Sequence, residues 1–337
     1  MSNLVVLDVG HGNCTILRGA AGVVVIDAPI GALLLGTLED MGINTIEEAF
    51  ISHADKDHIA GILALLTSDR IHVRKIYVNP DSQRKTVVWN DFIVAVSVAQ
   101  RKGTCIVSTS LSSTTPGSVT MGDLTIEVVA PSASLALAGV GGLSRDGRTI
   151  TANTLSAALR ITSGVNDGVL LAGDIDEIAL DDAIFHGADL SAHTLIFPHH
   201  GGLPGSNNVD QYMQKLLTEV SPKSVIFSNG RGRHDNPRIE VVDAVTKHGC
   251  AVACTQMSGR CSETNTDNSH LEDIRAHGRA AGACCAGSIT IELPEGARRT
   301  ALALTRFSDF VRTKVATPMC LRLSEAQAPR NITTFVH

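Results

Sequence analysis

The sequence predicts an α/β or α+β protein layered around large sheets, not a helical bundle. Three observations carry that expectation. Short β-rich apolar runs recur along the whole chain, and helical patterns fall between some of them. The composition, 44% hydrophobic against 18% charged, provides for a sizeable core and excludes a disordered chain. Aromatic residues are only 3%, so that core must be built from Val, Ile, Leu and Ala, and a base-stacking nucleic-acid platform is disfavoured.

In order along the chain, "LVVLDV", "GVVVIDA", "EEAFIS" and "KIYVN" read as strands, and "LTIEVVA", "LSAALRIT" and "GVLLAGD" follow in the middle. "TLIFPHH", "SVIFSN", "CAVACT" and "SITIEL" complete the set. Ile59, Ile62, Leu63 and Leu66 take the i, i+3, i+4, i+7 spacing of a buried helix stripe. "VDQYMQKLLTEVSP" and "PRIEVVDAVTKHG" read as helices, the second opening at Pro237 and closing at Gly249. No internal repeat and no clean linker separates these elements. The expected organisation is one hydrolase domain over residues 1–296, with a Cys-rich insert at about 254–286 and a basic C-terminal extension over 297–337.

The net charge of −6 is wrong for a dedicated duplex-DNA binder. The charge is uneven, however. From Ala297 onward there are seven Lys or Arg against two Asp or Glu, which suits a solvated tail or docking to a protein partner or polyanion. The opening "MSNLVVLDVGHGN" lacks a basic n-region, and no run approaches ~20 apolar residues, so neither a signal peptide nor a membrane span is expected. The expected location is cytoplasmic. The eight cysteines are then thiols or metal ligands sooner than disulfides.

The stretch "ISHADKDHIAGI" crowds His53, Asp55, Asp57 and His58 onto the loop between a strand and a helix. In extended chain, residues two apart share a side, so His53 and Asp55 converge on one point. Asp57 and His58, being adjacent, diverge and suit a second point. Two such points fit two metal ions ~3.5–4 Å apart. The competing reading makes these residues surface groups, with Asp57 as a helix N-cap.

"HADKDH" resembles the HxHxDH metal-binding motif of the metallo-β-lactamase fold superfamily, with Asp55 in place of the second His. The form SHxDxDHxxG resembles the soluble hydrolase domain of the ComEC/Rec2 DNA-uptake family and its stand-alone relatives. Other segments agree in order. "LDVGHGNCTIL" is similar to LDVGQGDAxLI, with His11 and Asn13 as departures; "VVIDAP" resembles a strand ending in Asp-Ala-Gly. "NTLSAALRI", "LLAGDI", "FPHHGG" and "SNGRGRHDNP" resemble its N-x-x-S, LLTGD, VPHHGS and His-near-Pro segments. The resemblance covers roughly residues 1 to 260.

That resemblance implies the four-layer αβ/βα sandwich of the superfamily and two divalent ions, zinc or manganese. It implies metal ligation by His53, Asp55, Asp57, His58, Asp174 and His199, with Asp174 bridging. Read alone, Asp174 could instead cap the helix that follows, and the pair His199 and His200 leaves open which one ligates. Asn153 stands where other branches carry His. The oxygen donors of Asp55 and Asn153 move preference from zinc toward manganese or magnesium. Asp57 would orient the attacking water, and His234 would protonate the leaving group. Arg231 and Arg233 offer phosphate-matching forks or belong to a solvated loop. Asp8 and His11 are substrate-facing or form a polar turn. Cys254, Cys261, Cys284 and Cys285 are candidates for a structural zinc or are core thiols.

The expected function is therefore a metal-dependent phosphodiesterase or nuclease, acting on nucleic acid or a nucleotide. The alternatives are a carbonyl-ester or lactam-type metallo-hydrolase, and a non-enzymatic partner-binding module of a multi-protein bacterial system.

Overall fold

The computed structural model describes residues 2–29, 31–79, 86–164, 168–205, 208–232, 234–294 and 297–322. Arg233 and residues 323–337 of the basic stretch lie outside the described residues. The first half supplies β1 (Asn3–Val6), β2 (Thr15–Gly19), β3 (Gly22–Ile26), α1 (Leu33–Asp40), β4 (Thr45–Ile51) and α2 (Lys56–Thr67). Next come β5 (His72–Val78), α3 (Val87–Lys102), β6 (Ile106–Thr109), β7 (Ser118–Met121), β8 (Leu124–Ala130) and α4 (Ala133–Ala138). The second half supplies β9 (Ala158–Ser163), β10 (Val169–Leu171), α5 (Glu177–Phe185), β11 (Thr194–Ile196) and α6 (Val209–Val220). It continues with β12 (Ser224–Phe227), α7 (Ile239–Lys247), β13 (Ala251–Cys254), β14 (Ile289–Glu292) and α8 (Ala301–Lys314).

These strands form two seven-stranded sheets, ordered β14-β1-β2-β3-β4-β5-β6 and β13-β12-β11-β10-β9-β8-β7. Each sheet has a parallel half, β3 to β6 and β10 to β13, where helices make the crossovers. The two-residue period of the strands divides the core into layers. In the first sheet Leu4, Val6, Val24, Ile26 and Phe50 face the second sheet. Val5, Val25, Ala49 and Ile51 alternate with them and meet Leu34, Leu38, Ile59, Ile62 and Phe92 of α1, α2 and α3. The outer face of the second sheet takes Leu180, Tyr212, Leu216, Val241 and Phe307 from α5, α6, α7 and α8. Burial on both faces explains why the parallel strands read as continuous apolar runs. The result is the four-layer αβ/βα sandwich that the sequence predicts.

The helix α3 has a Val-rich sequence, "VVWNDFIVAVSVAQRK", whose residues favour strands. Its ends decide otherwise. The Thr86 hydroxyl accepts from Trp89 N at 3.2 Å, and Gly103 closes it at φ 68°. Residues 297–322 of the basic stretch pack on the second sheet: Phe307, Phe310 and Val311 of α8 are buried there. Thr317 N donates to the Cys261 carbonyl at 2.9 Å. Among the described residues, no helix is long and apolar enough to cross a membrane.

Candidate metal centre

The site forms where strands of both sheets end. Asp27 follows β3, Ser52 and His53 follow β4, Asp174 follows β10, His199 and His200 follow β11, and Ser228 to Gly230 follow β12. Hydrogen bonds to backbone carbonyls hold the two rims together. Ala157 N donates to the Ser52 carbonyl at 2.8 Å, and Ser228 Oγ donates to the Gly12 carbonyl at 2.8 Å. The glycines of "GHG" let the His11 loop lie flat between the rims. A Cβ on Gly12 would sit 2.8 Å from the Asp57 carbonyl, and one on Gly230 would sit 2.6 Å from His11 N.

Two groups of ligand-type atoms converge there, each within 4.8 Å: His53, His58 and Asp174, and His11, Asp57 and His200. Asp174 lies between them. Its carboxylate is 3.8 Å from His53 Nε2, 3.6 Å from His199 Nδ1 and 3.9 Å from His200 Nε2. His53 Nε2 is 3.4 Å from Asp55, and Asp57 is 3.5 Å from His11 Nε2 and 3.8 Å from His200 Nε2. Asp27, His199 and His200 all take left-handed backbone, at φ 55°, 52° and 57°. Such residues cost roughly 1–3 kcal/mol each and cluster at functional sites.

The orientation of two imidazoles is fixed from behind. His58 Nδ1 is 2.8 Å from Asp27 Oδ2, and Asp27 also accepts from Ser52 N and Oγ, both at 2.7 Å. His200 Nδ1 is 2.9 Å from the Ser228 carbonyl. These bonds turn each Nε2 lone pair inward, as the backing of metal-bound histidines does. Four buried polar atoms here have no hydrogen-bond partner: His58 Nε2, His199 Nε2, His200 Nε2 and Asp174 Oδ1. Buried polar atoms are normally satisfied. A convergent set of imidazole nitrogens and carboxylate oxygens fits divalent cations in nature and placement.

The electrostatics agree with cation binding. Burial opposes charge on His58, but Asp27, Asp174 and Asp57 outweigh it, and the pKa is pushed up to about 10 without a metal. Burial works against ionised Asp174, yet His200, His53, His58 and His199 hold its carboxyl well below the usual range. Burial holds His200 below the ordinary histidine value.

Metal uptake must therefore expel a proton from His58, so affinity should rise with pH up to about 10. The sign for stability is the opposite. The raised pKa stabilises the metal-free fold fully below ~6.5, and this contribution is lost as pH climbs through the folded value. Asp27→Ala should weaken metal binding ~10–100-fold and flatten that dependence. Calorimetric titration in buffers of different ionisation enthalpy checks both; unchanged affinity and proton release would remove Asp27 from its positioning role.

The structure brings His53, Asp55, Asp57, His58, Asp174, His199 and His200 together, with His11 at the edge. The alternative role of Asp174 as a helix cap is not seen: Asp176 caps α5, accepting from Ala179 N at 3.0 Å. Likewise Asp55, not Asp57, is the N-cap residue of α2, and its side chain makes no cap bond. His58 groups with His53 and Asp174, whereas Asp57 groups with His11 and His200.

His234 reaches the site through His11, with ring centroids 4.7 Å apart. Asn153 sits in the turn before β9, where its carbonyl accepts from Ser156 N. Ser156 Oγ in turn accepts from Asp174 N at 2.9 Å. Arg231 lines the pocket, but its guanidinium donates to the Ser262 and Thr264 carbonyls. Asp8 faces away from the site: its carboxylate accepts from Gly10 N, Gln256 Nε2 and Gly278 N at 3.1, 2.8 and 2.9 Å. The late cysteines are divided. Cys284 Sγ donates to Asp8 at 3.3 Å, whereas Cys254, Cys261 and Cys285 line an apolar pocket with Cys320. Burial pushes the thiols of Cys254, Cys261 and Cys285 up. Among the described residues, neither candidate ion group contains a cysteine.

Sequence reasoning gave no role to Asp27, Ser52 or Lys56, and placed His277 only near the late cysteines. Asp27 had a signal, a lone carboxylate closing an apolar strand. Lys56 and His277 line a pocket of about 500 Å³ over the centre, together with His11, Asp57 and His234.

Two mixed sheets with a His/Asp centre at their joined rims define a metal-hydrolase sandwich. The family model of the metallo-beta-lactamase superfamily matches residues 7–195, and the chain belongs to that superfamily, a metallo-β-lactamase-fold hydrolase. The fold implies divalent metal ions. Comparison with curated protein sequences finds no match. Among solved structures, the chain is similar to the metallo-beta-lactamase fold protein YhfI from Bacillus subtilis, at 16% identity and TM-score 0.45. That match covers 76% of this chain and 98% of YhfI. It is also similar to Igni18, a metallo hydrolase from Ignicoccus hospitalis, at 15% identity and TM-score 0.45, over 86% of this chain and 99% of that one. A diphosphatase from the PhnP family is similar at 13% identity and TM-score 0.39, over 72% and 91% of the two chains.

Proposed function

We propose that the protein is a dinuclear metal-dependent phosphodiesterase acting on a nucleotide or nucleic-acid ester, with zinc or manganese as its metal. The carrying observation is the charge of the pocket above the centre. Lys56, His11, His234 and His277 line it, and Asp57 is the carboxylate among its lining residues. A cationic and imidazole-rich wall suits an anionic phosphoryl group better than a neutral amide or lactam. His53, His58 and Asp174 would hold one cation, with Asp55 and His199 beside it, and Asp57 and His200 would hold the other, with Asp174 between the two sets.

Bound cations supply Lewis-acid neutralisation of phosphoryl oxygens and bring the acidity of water into a usable range. Asp57, part-exposed at the floor of the pocket, accepts a hydrogen bond from the attacking water and sets its direction. His234, whose ring lies against that of His11, donates a proton to the departing alkoxide.

The test is a substrate panel with measured metal content. Protein loaded with zinc or manganese should bind two ions per chain and hydrolyse bis-p-nitrophenyl phosphate, single-stranded DNA or a cyclic nucleotide. Turnover of nitrocefin with all phosphodiesters inert would replace this reading with a carbonyl hydrolase.

A further inference from the structure

A second cavity, of about 480 Å³, lies at the opposite end of the same strands. Its wall includes Thr194, Ser224 and Ala251, the first residues of β11, β12 and β13, whereas the metal centre follows their last residues. The cavity is therefore separate from the hydrolase site. Its size falls in the range of small-molecule pockets, and its wall is mostly apolar, with Val225, Val252, Ile291, Leu304 and Phe307 contributing.

One wall residue does not fit an apolar void. Arg299 is 8% exposed, and its Nε and Nη1 have no hydrogen-bond partner. Its guanidinium has Glu272 at 3.5 Å from Nη2 and lies 5.0 Å from the Phe307 ring. Glu272 divides its attention, since it also accepts from Thr290 N. Arginine stays charged, and a buried cation so weakly paired is costly. The exposed Lys223 and Arg298 add positive charge at the rim.

We propose that this cavity is a binding site for an amphiphilic anion, a medium-chain aliphatic carboxylate, whose head meets Arg299 and whose chain lies along Val225, Val252 and Phe307. The ligand would stabilise the fold by mass action without touching the metal centre.

Decanoate is the probe, with decanol as its neutral counterpart. Titration calorimetry on the full chain should give a Kd on the order of 10–100 µM for decanoate and at least tenfold weaker binding of decanol. Arg299→Met should lose at least tenfold in decanoate affinity. Leu304→Glu, on the exposed side of α8, should do the same by repulsion and leaves the buried arginine intact if Arg299→Met fails to fold. Wild-type metal content and phosphodiester turnover should persist in Leu304→Glu, so the outcome is independent of the hydrolase reading. Equal binding of decanol and decanoate, no binding of either, or full affinity in Leu304→Glu would overturn the proposal. A concentration-dependent dimer in sedimentation, unaffected by decanoate, would make a second copy the occupant and overturn it as well.

Discussion

Asp174→Asn is expected to lower kcat/KM by at least about a thousandfold, or ~4 kcal/mol of transition-state stabilisation. It should also cut metal content from two ions per chain to one or none. The reasoning starts from burial. Asp174 is 9% exposed, its Oδ1 has no hydrogen-bond partner, and imidazoles of His53, His199 and His200 approach its carboxylate within 3.6 to 3.9 Å. Asparagine keeps the shape and the backbone bond to Ser156 but removes the charge shared by both groups. The metal-free protein should feel the change too. A carboxyl held below its usual range adds stability above about pH 4 and loses it as pH falls. The Asn variant should therefore be less stable than wild type at pH 7, and the difference should shrink toward acid. Mass spectrometry of bound metal with thermal melts at several pH values reads all three effects. Two ions per chain and normal turnover in the variant would end the bridging role.

Asp57→Ala should reduce kcat/KM ~10²–10⁴-fold, the span usually lost with a positioned proton-handling group. Its metal content should fall by no more than one ion. Asp57 is half-way out of the protein, with a side chain 31% exposed, and it reaches both His11 and His200. A group in that position can touch substrate water, whereas the buried His58 behind it cannot. Steady-state kinetics with excess metal separates the two contributions. Restoration of wild-type rates by excess metal would make Asp57 a ligand alone, and unchanged rates without it would make Asp57 a bystander.

The parts of this centre that could be read from the chain are the local ones. His53, Asp55, Asp57 and His58 are legible because four ligand-type residues within six positions have few other uses. The strands beneath them are legible because both faces are buried. What could not be read depends on distant partners or on backbone sign. Asp27 closes an apolar strand, but its duty shows only when His58, 31 positions later, is found against it. The fates of His199 and His200 hang on two successive left-handed residues that no propensity announces. Arg231 looks free for phosphate because Ser262 and Thr264, which claim its fork, come more than thirty residues later. The Val-rich α3 is not legible as a helix because its residue types favour strands and its cap residues lie outside the apolar run.

The Asp8 carboxylate has a consequence for biosynthesis. Near the start of the chain it waits for Gln256, Gly278 and Cys284, and β1 waits for β14. Gln256 follows Asp8 by 248 residues and Cys284 follows it by 276, so during translation the carboxylate meets no partner until those residues have emerged. Until then the Asp8 carboxylate stays in water, β1 lacks its β14 neighbour, and the loop bearing His11 cannot take its working place.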